Sequence, residues 1–154
     1  MRLIRIPMAD AERLWRMQRE AFYDLYLRYE DGDLSPATEP LVRVQERLGR
    51  ESTYCYFMDV DGLTVGAVRV YDTMQPTEPK RLSQIFVLKH YRVQGYAQQA
   101  LHLVETLHGD SNWVLDTILQ ERGNCYLYEK LGYRQTGHTQ TINERMTIVY
   151  YRKE

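Results

Sequence analysis

The segment Tyr91-Arg92-Val93-Gln94-Gly95-Tyr96-Ala97 decides how this chain is organised. It lies between residues 85–88, an apolar run typical of a buried strand, and a stretch of helical periodicity that begins near Gln94. A strand that turns directly into a helix, with a glycine and an alanine in the first helical turn, leaves backbone amides unpaired and unshielded. The peptide dipoles add partial positive charge at the same point. The segment therefore predicts a loop that binds phosphate through its main chain.

A second informative segment, Asn124-Cys125-Tyr126-Leu127-Tyr128-Glu129-Lys130-Leu131-Gly132-Tyr133, follows further along the chain. Helical spacing places Asn124, Tyr128 and Leu131 on one face, and Gly132 is expected to end the helix in a left-handed conformation. A strand-like run at residues 113–118 separates this helix from the loop. The centre of the chain therefore predicts the order strand, loop, helix, strand, helix.

Taken as residue types, the two segments resemble the GNAT family of acetyltransferases (Gcn5-related N-acetyltransferases). The acetyl-coenzyme A loop of that family has Gln or Arg, two residues, Gly, one residue, and Gly or Ala, as do Arg92, Gly95 and Ala97. Its late helix and strand commonly read Phe/Leu-Tyr-Glu-Lys-x-Gly-Phe/Tyr, which residues 127–133 match closely. The motifs cover residues 81–137, and the rest of the chain resembles the family only in the order of its elements.

The remaining chain predicts further strands and helices around this centre. The dipeptide Asp61-Gly62 tolerates the backbone angles of a tight hairpin turn and joins two apolar strands at residues 54–60 and 63–71. Alternation after Met146 predicts a final strand. The long helix after the loop is predicted from apolar residues at helical spacing, namely Val93, Ala97, Ala100, Leu101, Val104 and Leu107. The other predicted elements are a strand at residues 3–6, a helix from about residue 9 to residues 31–32, an exposed loop to residue 40 and a short helix ended by Gly49.

This order of elements is the order of the acetyltransferases that the motifs resemble. The resemblance implies an α/β (α+β) fold with a mixed, mostly antiparallel sheet of six to seven strands. It also implies helices on both faces of the sheet and a splayed central strand pair. With 154 residues, the chain is long enough to bury a core without metals or disulfides. We expect a single acetyltransferase domain over residues 1–154.

Composition argues against several classes of function. The net charge of −1 offers no overall field that would attract nucleic acid or an anionic membrane. No apolar run approaches the roughly 18 residues of a membrane span. Cys55 and Cys125 lack metal-site and redox spacing, which predicts buried or half-buried thiols in a reducing compartment. We therefore expect a cytoplasmic protein without a nucleic-acid or membrane partner. The histidines form no metal-binding or triad pattern, and each is expected at the surface: His90, His102, His108 and His138.

The resemblance also implies how acetyl-coenzyme A would bind as co-substrate. The backbone of Val87 and Leu88, at the end of the strand before the loop, would hold the pantetheine arm. An amide near Val87 would donate to the oxygen that gains negative charge during acyl transfer. The pyrophosphate would bind the amides of the loop itself. The loop residues assigned to the co-substrate are Arg92, Val93, Gln94, Gly95, Tyr96 and Ala97.

Two residues of the second segment are candidates for direct roles. Tyr128 stands at the family's acid position, and a phenol with an ordinary pKa of about 10 stays protonated at neutral pH. It would protonate the departing thiolate. Asn124 has two interpretations: it contacts the pantetheine arm, or it caps the helix. The family's asparagine usually lies where this chain has Glu121, one helical turn earlier.

The sequence leaves the general base and the acceptor open. Residues 81–85 contain no carboxylate, and Gln84 would orient water without taking a proton. A water chain ending on Asp116, Glu121 or Glu78 is one alternative, and an amine that arrives neutral is another. Aromatic residues on the first helix and acidic residues around the following loop suit a groove for a cationic amine: Phe22, Tyr23, Tyr26 and Tyr29, and Glu30, Asp31, Asp33 and Glu39.

These observations predict an N-acetyltransferase that moves an acetyl group from acetyl-coenzyme A to a primary amine of a small molecule or peptide. The resemblance implies direct attack within a ternary complex. One alternative is a catalytically silent acyl-coenzyme A-binding module. The other is an unrelated α/β domain that binds a nucleotide through the same loop. A homodimer formed through the late strands is compatible with the resemblance, and the sequence does not decide it.

Overall fold

The computed structural model describes residues 1–32 and 35–154 and contains, within them, seven strands and four α-helices. Asp33, one of the acidic residues proposed for the acceptor groove, lies outside these residues. The strands are β1 (Arg2–Arg5), β2 (Thr53–Val60), β3 (Leu63–Tyr71), β4 (Lys80–Val87), β5 (Trp113–Ile118), β6 (Arg134–Asn143) and β7 (Met146–Lys153). The helices are α1 (Ala11–Tyr29), α2 (Leu41–Leu48), α3 (Tyr96–His108) and α4 (Arg122–Lys130).

The strands form one sheet in the order β1-β2-β3-β4-β5-β7-β6. Every neighbouring pair is antiparallel except β4 and β5, which are parallel. The β4–β5 pair is joined only where Lys80 meets Trp113 and Arg81 meets Val114. Beyond Arg81 the two strands diverge, and a slot opens at the carboxyl end of β4. The mixed, mostly antiparallel sheet and its splayed central pair are thus confirmed.

Helices cover both faces of the sheet and enclose two separate apolar cores. On one face, α1 and α2 pack on inward-facing residues of β2, β3 and β4, including Phe57, Ala67 and Phe86. On the other face, α3 and α4 pack around Trp113, which is 1% exposed. Alternation along the strands explains the division, because successive side chains point to opposite faces.

Local features predicted from the sequence are also present. Asp61 and Gly62 have φ angles of 51° and 87°, as the tight β2–β3 turn requires. Gly132, which follows the end of helix α4, has a φ angle of 97°. Cys55 and Cys125 are buried free thiols. No helix among the described residues is both long and apolar enough to cross a membrane.

Two predictions about helix α3 need correction. The helix begins at Tyr96, not near Gln94, and Val93 lies before it with φ 64° and full exposure. Val93 therefore belongs to the loop, and its apparent helical spacing was coincidental. At the other end His108 is buried rather than at the surface. Its ring bonds the Asp72 carboxylate and the Tyr56 hydroxyl, each at 2.8 Å.

Candidate functional site

A cavity of about 400 Å³ lies between the end of β4, the start of α3 and the inner face of α4. Its lining includes Gly95, Tyr96 and Ala97, in which the loop turns into the helix. Gly95 precedes α3 at φ 79°, and no side chain caps the helix. The first backbone N–H groups of the helix therefore have no intrahelical partner and face the cavity. Unpaired amides at the positive end of a helix are suited to a phosphate group.

The loop residues divide into those that line this cavity and those that do not. Arg92 and Val93 line it together with the three residues at the start of the helix. Gln94 is exposed and absent from the lining, so its assignment to the co-substrate rests on the sequence alone. The Arg92 side chain has a structural task, since it donates to the Val87 carbonyl at 2.9 Å and to the Ala21 carbonyl at 2.8 Å. Arg92 thus ties the loop to β4 and α1.

The register of β3 and β4 determines which backbone groups at the end of β4 are available. The Leu88 N–H donates to the Val65 carbonyl at 2.8 Å, and the Leu88 carbonyl accepts from the Tyr91 N–H at 2.9 Å. Both backbone groups of Leu88 are therefore occupied, and the Val87 carbonyl accepts from Arg92, so the group left for the expected contact with a pantetheine arm is the Val87 N–H. Val87 is paired with Gly66, and this pair lies next to the hydrogen-bonded pair of Val65 and Leu88. Because hydrogen-bonded and non-hydrogen-bonded pairs alternate along an antiparallel ladder, the Val87–Gly66 pair is not hydrogen-bonded. The Val87 N–H consequently points away from β3 and into the slot.

Tyr128 stands at the bottom of the slot. It projects from α4, is 7% exposed, and packs edge-on against Tyr133 with ring centroids 6.0 Å apart. Burial raises the pKa of the Tyr128 phenol well above its ordinary value, with smaller effects from nearby Cys125 and Asp116. The hydroxyl therefore stays protonated at neutral pH. A raised pKa makes the phenol a weaker acid, so its hydroxyl would act on a departing thiolate first as a hydrogen-bond donor.

Asn124 lies one helical turn before Tyr128 and lines the same cavity. The capping interpretation is wrong, because α4 begins at Arg122 and its N-cap residue is Glu121. Asn124 is the third residue of the helix, and its side chain is exposed. Glu121 also lines the cavity, but its carboxylate accepts from the Tyr29 hydroxyl and from Arg28, the latter at 2.6 Å. Asn124 is therefore the amide that this helix presents to the cavity.

A second cavity, of about 510 Å³, adjoins the first, and residues of α1 line both. It is enclosed by α1, the α1–α2 loop, and the diverging strands β4 and β5, with β6 and β7 beyond them. Both cavities share part of their lining, so the slot is the place where they meet. The shared residues are Phe22, Leu25, Ile85, Asn124 and Tyr128.

Three carboxylates line the second cavity, and two of them are committed to arginines. Glu39 is held by Arg47, and Asp116 accepts from Arg81 at 2.9 Å. The third, Asp31, has a buried carboxyl oxygen without a hydrogen-bond partner among residues 1–32 and 35–154. Burial raises the pKa of Asp31 above its ordinary value, and a hydrogen bond to its own backbone opposes this rise without cancelling it. Of the three, Asp31 has the most freedom to accept a proton or to pair with a cation.

Comparison with known proteins agrees with this geometry. A family model described as "Acetyltransferase (GNAT) domain" matches residues 36–154, more than half of the chain. The chain belongs to the GNAT acetyltransferase family. A comparison with curated proteins found no match.

Solved structures of GNAT acetyltransferases share the whole fold. An acetyltransferase from Thermus thermophilus has a TM-score of 0.73 at 15% identity, with 97% of this chain and 94% of that chain covered. Spermidine N-acetyltransferase from Vibrio cholerae, solved with CoA and spermine, has a TM-score of 0.75 at 13% identity, with 97% of this chain and 92% of that chain covered. PaiA N-acetyltransferase from Thermoplasma acidophilum, solved with coenzyme A, has a TM-score of 0.65 at 15% identity, with 99% of this chain and 98% of that chain covered. Identities this low establish the fold and leave the acceptor undetermined.

Several residues of this GNAT site were not found from the sequence. Gln98 lines the first cavity because the helix starts two residues later than predicted. Arg69 lines the second cavity beside Gln84, which the sequence indicates only as a group that orients water. The alternation of β3 would have indicated that Arg69 shares a face with buried Ala67. Of the proton acceptors proposed from the sequence, Glu78 lies in the exposed β3–β4 loop and lines neither cavity.

Proposed function

We propose that this protein is an acetyl-coenzyme A-dependent N-acetyltransferase that acts on a primary amine by direct attack in a ternary complex. One observation carries the proposal: two cavities beside the splayed strands share part of their lining and meet at Tyr128. A donor in the first and an acceptor in the second would bring their reacting atoms together there. Holding two reactants in one geometry supplies a large part of the rate enhancement of such reactions.

The first cavity has the features that the donor requires. The amides from Gly95 to Gln98 are suited to the pyrophosphate, and Asn124 is suited to the amides of the pantetheine arm. The co-substrate supplies a thioester carbonyl, whose carbon is attacked. The Val87 N–H is oriented to stabilise negative charge on the carbonyl oxygen. Tyr128 then gives its proton to the sulfur as the carbon–sulfur bond breaks, and the phenolate takes the second proton of the nitrogen as that nitrogen becomes an amide.

On the acceptor side, we assign proton removal to Asp31. An amine enters as an ammonium ion and must lose a proton before its nitrogen can attack. The Asp31 oxygen that has no partner among residues 1–32 and 35–154 is suited to that ammonium. Since burial raises the pKa of Asp31, its carboxylate is a better proton acceptor than an ordinary aspartate. The proton passes to Asp31 directly or through a water molecule.

Two measurements test this function. Thermal shift with acetyl-coenzyme A, coenzyme A, ATP and NAD should show stabilisation by the first two alone. Thiol release with a panel of primary amines should then show turnover that depends on the amine. Binding of acetyl-coenzyme A without turnover of any amine would favour a silent acyl-coenzyme A-binding module. Stabilisation by ATP or NAD instead would mean that the loop binds a nucleotide.

A further inference from the structure

The second cavity contains two donor side chains that the proposed chemistry does not use. Arg69 on β3 and Gln84 on β4 both line it. Within residues 1–32 and 35–154, neither side chain takes part in a hydrogen bond, and Arg69 forms no salt bridge. The polar atoms of both side chains also keep some exposure, because the only fully buried side-chain atom without a hydrogen-bond partner in the described chain belongs to Asp31. These donors therefore remain accessible from the cavity.

The strand register brings these two side chains together. Arg69 is the direct partner of Gln84 in the antiparallel β3–β4 ladder. Directly opposed residues point to the same face of a sheet, with Cα atoms about 5 Å apart. A guanidinium fork beside a carboxamide presents several N–H donors to one ligand group. A planar anion with two oxygens, such as a carboxylate, matches this arrangement best.

Among the described residues, no carboxylate near Arg69 is free to pair with its guanidinium. The nearby carboxylate, Glu39, is bound by both terminal nitrogens of Arg47 and also accepts from Gln18 at 3.2 Å. Burial, and next the charge of Arg47, lower the pKa of Arg69 to about 10, which still leaves the guanidinium charged at neutral pH. A largely buried cation without a paired anion is unfavourable. The cavity thus offers a positive charge that a ligand can neutralise.

We propose, on the basis of the acetyltransferase activity proposed above, that the acceptor carries a carboxylate as well as an amine, and that Arg69 and Gln84 bind this carboxylate. Gln84 directly precedes Ile85, which lines both cavities. A strand rises only about 3.3 Å per residue, so the carboxylate is bound a short distance from the junction. The acceptor class is therefore an amino acid or a similar amino carboxylate, in which the two groups are close together.

Matched acceptors test this proposal. Each amino acid is compared with its primary amide and with the amine that lacks the carboxyl group, and thiol release is followed at saturating acetyl-coenzyme A. We expect kcat/KM to be at least about tenfold higher for the acid than for its amide. Arg69→Gln should remove this preference by raising KM for the acid, while the amide is unaffected. Arg69→Lys keeps the charge but not the planar guanidinium, so it should retain only part of the preference for the acid over its amide. The control, Arg43→Gln, removes an equal charge from the exposed face of α2.

The outcomes separate this proposal from the proposed function. Equal use of acids and amides by the wild-type protein overturns the carboxylate site but leaves the acetyltransferase intact. Equal losses on both acceptors in Arg69→Gln also overturn it. If no acceptor in the series is turned over, thermal shift of the coenzyme A-bound protein with the same acids and amides decides. Stabilisation by acids that Arg69→Gln abolishes supports the site, and its absence overturns it. Failure to bind acetyl-coenzyme A would instead reject the proposed function.

Discussion

Tyr128 combines packing and chemistry in one side chain, because its ring belongs to the α3–α4 core while it also lines both cavities. Replacing it with phenylalanine keeps the packing and removes the proton donor. We expect Tyr128→Phe to lower kcat by roughly 100-fold or more, as is usual for loss of a general acid. The dissociation constant for acetyl-coenzyme A should not change. Steady-state kinetics and calorimetry measure the two effects.

The control for this prediction is Tyr126→Phe, two residues earlier on the same helix. Tyr126 is 69% exposed, so removing its hydroxyl should alter neither kcat nor binding. Full activity in Tyr128→Phe would show that the thiolate leaves without a proton from this residue. A large loss of acetyl-coenzyme A affinity would indicate that the hydroxyl binds the co-substrate instead.

Asp31 is expected to affect activity and stability in opposite directions. Since burial raises its pKa in the folded protein, folding favours the protonated acid. Its favourable contribution is complete below the unfolded pKa of about 3.9 and is lost as pH rises through the folded pKa. At pH 7 the ionised carboxylate therefore destabilises the fold. We expect Asp31→Asn to raise the free energy of unfolding at pH 7 by about 0.5 kcal/mol, a small value because the group is partly solvated.

The same substitution should reduce turnover of amines that enter as ammonium ions. Wild-type kcat/KM should fall as pH drops through the raised pKa of Asp31, and the variant should lack this step. Urea unfolding at pH 4 and pH 7, together with pH–rate profiles, measures both effects. An Asp31→Asn variant that is less stable at pH 7 would contradict the assignment of Asp31 as a partly buried carboxylate with no ionic partner among the described residues.

At the level of elements, the approach of β3 to β4 controls the position of the oxyanion donor. Gly66 is paired with Val87, and a Cβ at Gly66 would lie 2.1 Å from the Phe86 carbonyl oxygen and 3.0 Å from the Val87 Cα. A backbone neighbour this close can yield only if β4 moves. We expect Gly66→Ala to destabilise the protein by about 2 kcal/mol and to weaken acetyl-coenzyme A binding. Chemical denaturation and calorimetry test the two effects together.

A matched glycine provides the control. Gly123 lies in α4, and a Cβ built there meets nothing within 4 Å. Gly123→Ala should therefore be neutral or stabilising by up to about 1 kcal/mol, since alanine favours helix. If Gly66→Ala behaves like this control, the close packing of β3 on β4 does not fix the end of β4.

The elements also show what the sequence could and could not predict. Asp61-Gly62 and the loop of residues 91–97 are local signals, because turn chemistry acts between neighbouring residues. Val93 lies in the loop although its spacing predicts helix, since periodicity alone cannot distinguish a helix residue from a loop residue at the right spacing. His108 is buried because its ring is hydrogen-bonded to the carboxylate of Asp72, a residue that is distant in sequence. Arg69 meets Gln84 only through strand register, which a single sequence does not specify.

For the whole molecule, the important property is that the sheet is open at its centre. The two strands at the centre share only the pairs Lys80–Trp113 and Arg81–Val114. The ends of β4, α3 and α4 therefore contribute binding groups without having to separate first. A site that is already formed loses little free energy to rearrangement on binding. Co-substrate binding should consequently stabilise one region of the protein rather than reorganise the fold.

Hydrogen exchange with and without acetyl-coenzyme A tests this expectation. We expect slower exchange at the Val87 amide and at the first amides of α3, since these gain partners when the co-substrate binds. The exposed edge strand β6 borders neither the loop nor α3 and should exchange at the same rate in both states. Coenzyme A lacks the acetyl group, so it should protect the α3 amides as well as acetyl-coenzyme A does but should protect Val87 less. Protection spread evenly over both faces of the sheet would mean that binding tightens the whole fold, and equal protection of Val87 by both ligands would remove its role as the oxyanion donor.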